Sequence, residues 1–562
     1  MTRFIFVSGG VISGIGKGIT SASIALLLQC AGFKVTPIKC ENYLNVDAGT
    51  INPIEHGDPF LCDDGTEADM DLGAYEKFLN KNVGRLNFMT IGQIYGTVIE
   101  RERRFEYNGE DVEAIPHITD EIQKRWMKAA QKDEADIVVV ELGGTAGEYQ
   151  NVFYYEAARM LALKNPGMVL HVHVGYMPTP AHLGEPKTKP IQLSVRTLNS
   201  MGIQPDIIVA RSEQAMDQRR KDRFALFCNV HPNDVISAPD SDIIYNVPLQ
   251  LHKQHVDERI LEKFHLEPKV SDLSSWQKMC KRIAHAKSEG DIVRIGIVGK
   301  YFTTGDYKLR DSYAALFDAI DHAAWHEGLR AQTTWIDAEA IEKGKAEDYI
   351  RDVDGLIVPI GWGERGVEGM VAAARYALNQ KIPYLGLCYG MQLGVVAFAR
   401  EKLGWTDANT VEVNPQTTHP VIHLIPSQEK LMKRRAYGGT MRLGAWEAIV
   451  KKDTAAWEAY HKHNGFIDEE KGLTSERHRH RYEFNNEYVH EFEKAGLVIS
   501  ARSVVENLVE IVELPKEMHP FFLGTQGHPE YKSRPLKPHP IFIEYIRALH
   551  ALHGLQPLAN KG

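Results

Sequence analysis

The feature that most constrains this chain is an alternation. Short, continuous runs of β-branched and apolar residues recur, separated by longer stretches with helical character. FIFVS (4–8), KVTPI (34–38), DIVVVE (136–141), MVLHVHV (168–174) and DIIVA (206–210) form a first series, and RIGIVGK (294–300), GLIVP (355–359) and PYLGLC (383–388) a second. A strand that is apolar along its whole length is buried on both faces, which requires a parallel sheet covered by crossover helices. The fold class expected is therefore α/β, with two doubly wound domains. The polar, helix-compatible segment SDLSSWQKMCKRIAHAKSEGD (271–291) divides the two series. This predicts a first domain over 1–270, a linker over 271–293 and a second domain over 294–562. The stretch from 425 to 492 follows neither period.

Composition narrows the functional classes. With 43% hydrophobic and 25% charged residues, the chain matches neither a disordered nor a fibrous protein. A formal charge of -9 argues against a general nucleic-acid or membrane-surface binder, so any phosphate site has to be local. The six cysteines (Cys30, Cys40, Cys62, Cys228, Cys280, Cys388) form no CxxC pair, which fits a reducing compartment and a cytoplasmic location. Neither a signal peptide nor a membrane span is expected.

Two motifs carry chemistry. In the first, FIFVS runs into GGVISGIGKG and then into the helical pattern ITSASIALLLQCAG, placing a glycine-rich turn between a strand and a helix N-terminus. Such a turn lets backbone N–H groups approach phosphate oxygens, and Lys17 can reach the outer phosphates. The match to G-x4-G-K-[ST] is imperfect: one extra residue lies between Gly10 and Gly16, and Gly18 stands where a magnesium-binding Ser or Thr is usual. A metal therefore needs other ligands. Asp71, in EADMDLG, and Glu141, at the end of a buried strand, are the candidates.

In the second, PYLGLCYGMQL places Cys388 in G-x-C-x-G between a strand and a helix, an elbow that exposes a nucleophile. QGHPEY supplies His528 as base and Glu530 as the carboxylate that orients it. Two histidine pairs, His171 with His173 and His478 with His480, lack a third ligand at a metal-binding spacing and read as satisfied strand or loop histidines.

Together these motifs resemble the CTP synthase family. The likeness extends in order through YLNVDAGT, EHGDPF, DLGAYEKF, IPHITDEI, VELGGTAG, GEPKTKP, ALFCNV, RGVEGM, GGTMRLGA, ERHRHRYE and QGHPE. It implies a P-loop-related synthetase domain followed by a class I glutamine amidotransferase domain. It also implies ATP-dependent amination of UTP to CTP through a 4-phosphorylated UTP, with ammonia from glutamine. By position, the resemblance places Gly14, Ile15, Gly16, Lys17, Gly18 and Ile19 in the ATP loop, and Asp71 and Glu141 as ligands of Mg2+. The pyrimidine-nucleotide segments take Ser13, then Glu148, Tyr149 and Gln150, then Lys187, Thr188, Lys189, Pro190, Ile191 and Gln192, and finally Arg223. In the amidotransferase half, Gly361 falls on an oxyanion-hole glycine. Tyr389, Gly390, Met391, Gln392, Glu412 and Arg481 fall on glutamine contacts. The family further implies GTP as allosteric activator, CTP as product and feedback inhibitor, and a homotetramer able to form filaments.

This sequence departs from the family pattern at KCENY (39–43), GEYQN (147–151), KTKPI (187–191), PIGWG (359–363), Arg223 and Tyr389. Gln150 loses a charge and Ile191 a hydroxyl relative to the usual residues. Two alternatives are to be weighed: an amidoligase acting on another acceptor, since the phosphate loop and the elbow alone do not name the acceptor, and, given the departures, a catalytically reduced assembly protein that forms filaments. Both phosphate-loop and elbow residues are retained, which favours the enzyme.

Overall fold

The computed structural model describes residues 2–51, 57–300, 303–304, 307–308, 313–361, 363–428 and 438–552. Trp362 of PIGWG and the first two residues of EHGDPF lie outside these ranges. The chain divides into two compact units. The first comprises Met1–Ala48 and Asp71–Cys280, the second Gly49–Met70 and Lys281–Gly562.

The first unit is built on seven strands: β1 (Arg3–Gly10), β2 (Val35–Glu41), β3 (Phe88–Thr90), β4 (Ile137–Leu142), β5 (Val169–Tyr176), β6 (Ile207–Ser212) and β7 (Val235–Pro239). They lie in the order β3-β2-β4-β1-β5-β6-β7, every pair parallel. Each apolar run of the first series becomes a strand, and the central β4 is buried at all six positions. The edge strands β3 and β7 carry no signal in the sequence, because a short edge strand has little apolar length to reveal it. The order reverses beside β1, and the C-terminal strand ends at such a switch point form the ligand crevice of an open α/β sheet.

The second unit carries a nine-stranded sheet: β8 (Ile292–Gly299), β9 (Arg330–Asp337), β10 (Gly355–Val358), β11 (Tyr384–Leu387), β12 (Arg442–Val450), β13 (Leu473–His480), β14 (Val498–Ser503), β15 (Val509–Glu513) and β16 (Phe522–Thr525). In the order β9-β8-β10-β11-β16-β15-β14-β12-β13, the first five are mutually parallel. The last four continue the sheet antiparallel. Two strands of this antiparallel wing, β12 and β13, fall within the stretch from 425 to 492 that follows neither period. β12 alternates between buried and accessible positions, as a strand with one solvated face does. The expected linker contains the helix Ser274–Glu289. Among the described residues, no helix is long and apolar enough to cross a membrane.

Candidate active site

In the first unit β1 ends at Gly10, and the helix Lys17–Cys30 begins with Gly16 as its N-cap at φ 82°. Gly14 also has positive φ, at 69°, so both glycines hold backbone that other residues adopt only under strain. Ser13 is exposed, Ile15 buried, and Lys17 buried at the first helical position. The Lys17 ammonium donates to the Gly144 carbonyl at 2.9 Å. Burial lowers its proton affinity, Glu141 works against this, and the neighbouring Lys39 reinforces it.

Asp71 and Glu141 converge on a third residue that the sequence did not single out. Lys39, the first residue of KCENY, donates to Asp71 Oδ2 at 2.6 Å and to Glu141 Oε1 at 2.7 Å, with Glu41 Oε1 at 3.1 Å. Burial opposes its charge, but the three carboxylates outweigh burial and hold the ammonium protonated well above the usual lysine range. Tyr75 donates to the other Glu141 oxygen at 2.8 Å. Glu141 is buried, whereas the Asp71 side chain is 47% exposed. The arrangement also explains the missing Ser or Thr. A Cβ on Gly18 would lie 2.7 Å from Asp71 Oδ1, so the carboxylates occupy the space that a loop hydroxyl would need. Two hard oxygen donors, one of them open to solvent, suit a magnesium ion that completes its shell with water and substrate phosphate. Among the described residues no three His, Cys, Asp or Glu side chains form a closed metal cage.

The remaining nucleotide candidates fall into distinct environments. Glu148 turns inward, accepting from the Thr145 backbone at 2.7 Å and from Asn42 at 3.0 Å. Tyr149 is 97% exposed, and Gln150 and Arg223 are exposed. Lys187 pairs with Glu185, and Thr188 caps the helix Lys189–Ser200, with Pro190 in its first turn. Gln192 donates to the Thr188 hydroxyl at 3.1 Å. Ile191 is fully buried among Met177, Val195 and Ile208, its side chain filling the space above Gly175. Its side chain thus serves the core, leaving only its backbone to meet a ligand.

His173 bridges the Ser8 and Ser194 hydroxyls at 2.9 and 2.8 Å, and burial, with Lys17 nearby, lowers its pKa to about 3. His171 packs against Phe6, and burial lowers its pKa to about 4.

In the second unit Cys388 follows β11 and caps the helix Tyr389–Phe398, with φ 51° and ψ -101°. A non-glycine residue held there costs on the order of 1–3 kcal/mol, a strain common at nucleophile elbows. Both flanking glycines are sterically required: a Cβ on Gly390 would lie 1.8 Å from the Val358 carbonyl, and one on Gly386 would lie 2.7 Å from the Gly390 backbone. His528 is fully buried, and its Nδ1 meets Glu530 Oε1 at 2.7 Å. Its Nε2 has no partner that meets hydrogen-bond geometry. The Cys388 sulfur is nonetheless close enough to act on it electrostatically. Burial opposes the imidazolium, but Glu530 and Cys388 outweigh it and raise the pKa to about 10.

The glutamine candidates have the following surroundings. Glu412 accepts from the Gly363 backbone at 2.8 Å, and burial raises its carboxyl pKa. Tyr389 donates to the Gly363 carbonyl at 3.0 Å, and Lys300 donates to the same oxygen at 2.9 Å while lying 4.9 Å over the Tyr389 ring. Burial lowers the Lys300 pKa to about 8, Glu412 opposing the shift. A Cβ at Gly361 would lie 3.0 Å from Lys300 and 3.1 Å from the Tyr389 ring, so the backbone there must be bare. Met391 is buried. Gln392 donates to the Tyr482 carbonyl at 2.8 Å and to Gln526 Oε1 at 3.1 Å, which turns the Gln526 amide toward the Cys388 sulfur at 3.6 Å. Arg481 donates to Gln428 at 2.6 Å and to Thr440 at 3.0 Å. His478 and His480 face Arg442, at 3.2 and 3.3 Å, with Glu510 completing that buried cluster. Sequence reasoning missed Lys300 and Gln526, since a lone lysine after a strand and a glutamine before H-x-E carry no spacing signal.

A glycine-rich strand-to-helix turn with a lysine and two carboxylates in one unit, and a cysteine elbow with a His–Glu pair in the other, fit a nucleotide-dependent synthetase joined to a thiol amidotransferase. Comparison with known proteins narrows this class. Residues 3–266 match the family model of the CTP synthase N-terminus, and residues 308–548 that of class I glutamine amidotransferases. The CTP synthase of Pyrococcus abyssi is 47% identical over 550 residues, covering 98% of each chain. That of Carboxydothermus hydrogenoformans is 46% identical over 551 residues at the same coverage. A glutaminase domain of Trypanosoma brucei solved with bound acivicin aligns over 46% of this chain and 94% of its own, with 35% identity and a TM-score of 0.40. The chain belongs to the CTP synthase family. It is a glutamine-hydrolysing ligase that uses ATP to aminate UTP to CTP.

Proposed function

We propose that the two sites divide the reaction as follows. Cys388 attacks the glutamine carboxamide carbon. The backbone N–H groups of Gly361 and Tyr389 receive the charge that forms on oxygen, and His528 delivers a proton to the departing nitrogen. His528 then takes a proton from the water that hydrolyses the thioester, releasing glutamate, while Glu530 keeps the imidazole oriented. Gly390, Met391 and Gln392 shape the pocket, Glu412 faces the substrate ammonium, and Arg481 pairs with its α-carboxylate. In the other unit the loop from Gly14 to Ile19 holds ATP. Lys17 and Lys39 balance charge on the phosphoryl group as it moves to the uracil O4 of UTP. Ammonia then adds at C4 and phosphate leaves with the O4 oxygen. Mg2+, held by Asp71 and Glu141, would supply further neutralisation of the transferred phosphate.

UTP and CTP occupy the segments carrying Ser13, Glu148, Tyr149, Gln150, Lys187, Thr188, Lys189, Pro190, Gln192, Arg223 and the Ile191 backbone, with CTP acting there as feedback inhibitor. GTP is an allosteric activator. The protein is cytoplasmic and homotetrameric, with filaments as a further assembly. Apolar side chains left exposed on the first unit, among them Tyr149, Val152 and Val46, are surface that copies of the chain would cover. The functional domains follow the boundaries 1–270 and 294–562.

The observation that carries the reading is the strained Cys388 with a buried imidazole held by Glu530. The test is Cys388→Ala. Glutamine-dependent CTP formation should be lost while ammonia-dependent formation persists. Equal loss of both in a folded variant, or loss of neither, would overturn the division of labour.

A further inference from the structure

The segment Gly49–Met70 packs with the second unit, although by sequence it lies inside the N-terminal family match. Its described part forms a small hairpin, Phe60–Leu61 against Glu67–Ala68. The strap docks on the antiparallel wing. The Ala445 backbone donates to the Asp63 carbonyl at 2.8 Å, and Gly444 is required twice over, by its φ of +88° and because a Cβ there would lie 2.7 Å from that same oxygen. Strand β13 meets it with two buried arginines. Arg477 donates to Asp63 at 2.6 Å, and Arg479 to Glu67 at 2.6 Å. Asp58 connects the strap to the reacting groups through Tyr531. Tyr531 donates to Asp58 Oδ2 at 2.6 Å and has the Pro59 carbonyl at 3.1 Å. The Tyr531 ring in turn stacks on the His528 imidazole, with centroids 5.2 Å apart and planes 30° apart. On the other side, Arg479 lies 3.8 Å from Asp58, and its backbone carbonyl lies 4.0 Å from the Cys388 sulfur.

We propose that Asp58 is a positioning residue of the glutaminase site, fixing the Tyr531 ring against His528 so that the imidazole plane stays aligned with Cys388. The proposal rests on the assignment of Cys388 and His528 as nucleophile and base. Glu530 restrains the imidazole through a single hydrogen bond at Nδ1, which still lets the ring rock as χ1 and χ2 adjust. A face-packed ring whose hydroxyl is anchored at its far end removes that freedom. Stacking alone, without the anchor, gives the ring no fixed register. Asp58 and Tyr531 belong to widely separated parts of the sequence, so the alignment depends on the strap being docked.

The experiment compares glutamine-dependent and ammonia-dependent CTP formation in the full chain for Tyr531→Phe, Asp58→Asn, Asp58→Ala, the double variant Asp58→Ala/Tyr531→Phe, and Cys388→Ala. Displacing a catalytic group by a fraction of an ångström to 1 Å costs up to ~10²-fold. Tyr531→Phe should therefore lower kcat for glutamine ~5- to ~50-fold without raising KM, and leave the ammonia route within about twofold. Asp58→Asn, which keeps an acceptor for the Tyr531 hydroxyl, should recover most of the loss seen with Asp58→Ala. The double variant should be no worse than its more damaged parent, because both changes cut one link. Unchanged kcat with Tyr531→Phe, additive losses, or equal loss in both routes would overturn the proposal. If Cys388→Ala still uses glutamine, it is the underlying assignment that fails, whatever the other variants do.

Discussion

Gly18→Ala is the sharpest test of how the carboxylates are placed. The new Cβ would sit 2.7 Å from Asp71 Oδ1, 3.2 Å from its Cγ and 3.5 Å from Glu141 Oε2. Ordinary contact begins at 3.4 Å, so Asp71 must withdraw by about 0.7 Å, while Glu141 is held by Lys39 and Tyr75. Withdrawal stretches the 2.6 Å Lys39–Asp71 pair and splays the two carboxylates. Alanine is the better helix former by up to about 1 kcal/mol. Overpacking costs about 1–3 kcal/mol. The difference is a net loss of about 0–2 kcal/mol, so Tm should fall by no more than a few degrees. Catalysis has no such offset: displacing a charged group by this much predicts a loss of about ten- to a hundredfold in ammonia-dependent CTP formation. Glutamine hydrolysis, measured as glutamate release, should continue. Gly18→Ser, which restores the usual loop residue, should be no better. Near-normal ammonia-dependent turnover by Gly18→Ala would refute the reasoning, since it would mean that the carboxylate position does not matter.

Three further outcomes follow from the site geometry. Lys17→Ala should depress CTP formation from either nitrogen source by ~10²-fold or more, because it removes a preorganised charge from the phosphoryl path; normal turnover with ammonia would exclude that role. Glu530→Gln should let His528 release its proton at lower pH than about 10, as followed by NMR. The folded imidazole binds its proton more tightly than an unfolded one near 6.5, so its stabilisation is present below that value and lost as pH rises toward about 10. The variant should flatten that alkaline decline, and an unmoved titration would count against the pairing. Ile191→Thr should lower stability by about 1–3 kcal/mol by burying an unpartnered hydroxyl, with CTP inhibition curves unchanged; tighter inhibition at unaltered Tm would show that the side chain reaches the nucleotide after all.

What the sequence made legible, and what it did not, follows from the range of the interactions. The parallel strands were readable because burial on both faces writes a continuous apolar run, as in β4. The elbow was readable because Gly386, Cys388 and Gly390 lie within five residues, although only Gly386 answers a local demand, Gly390 clearing the Val358 carbonyl of another strand. Lys39 was harder. Its apolar neighbours mark it as part of a strand, but its role depends on Asp71 and Glu141, brought beside it only by the β2–β4 register and the helix Met70–Leu79.

The RHRH run of β13 shows the same limit in a stronger form. No apolar residue interrupts this run to mark it as buried, yet Arg477, His478, Arg479 and His480 are all buried. The period of two sends the arginines to one face and the histidines to the other. The histidine face is answered by Arg442 and Glu510. The arginine face is answered by Asp63 and Glu67, 414 and 412 residues away in the chain. A buried guanidinium is tolerable only with such partners. An arginine that looks misplaced within its own strand therefore marks where a distant acidic segment must dock. Here the docked segment also supplies Asp58 to the ring that backs His528. Removing Gly49–Met70 would thus leave two buried cations short of their carboxylates and the imidazole without its anchored neighbour, so the amidotransferase half should depend on the strap for its glutaminase geometry.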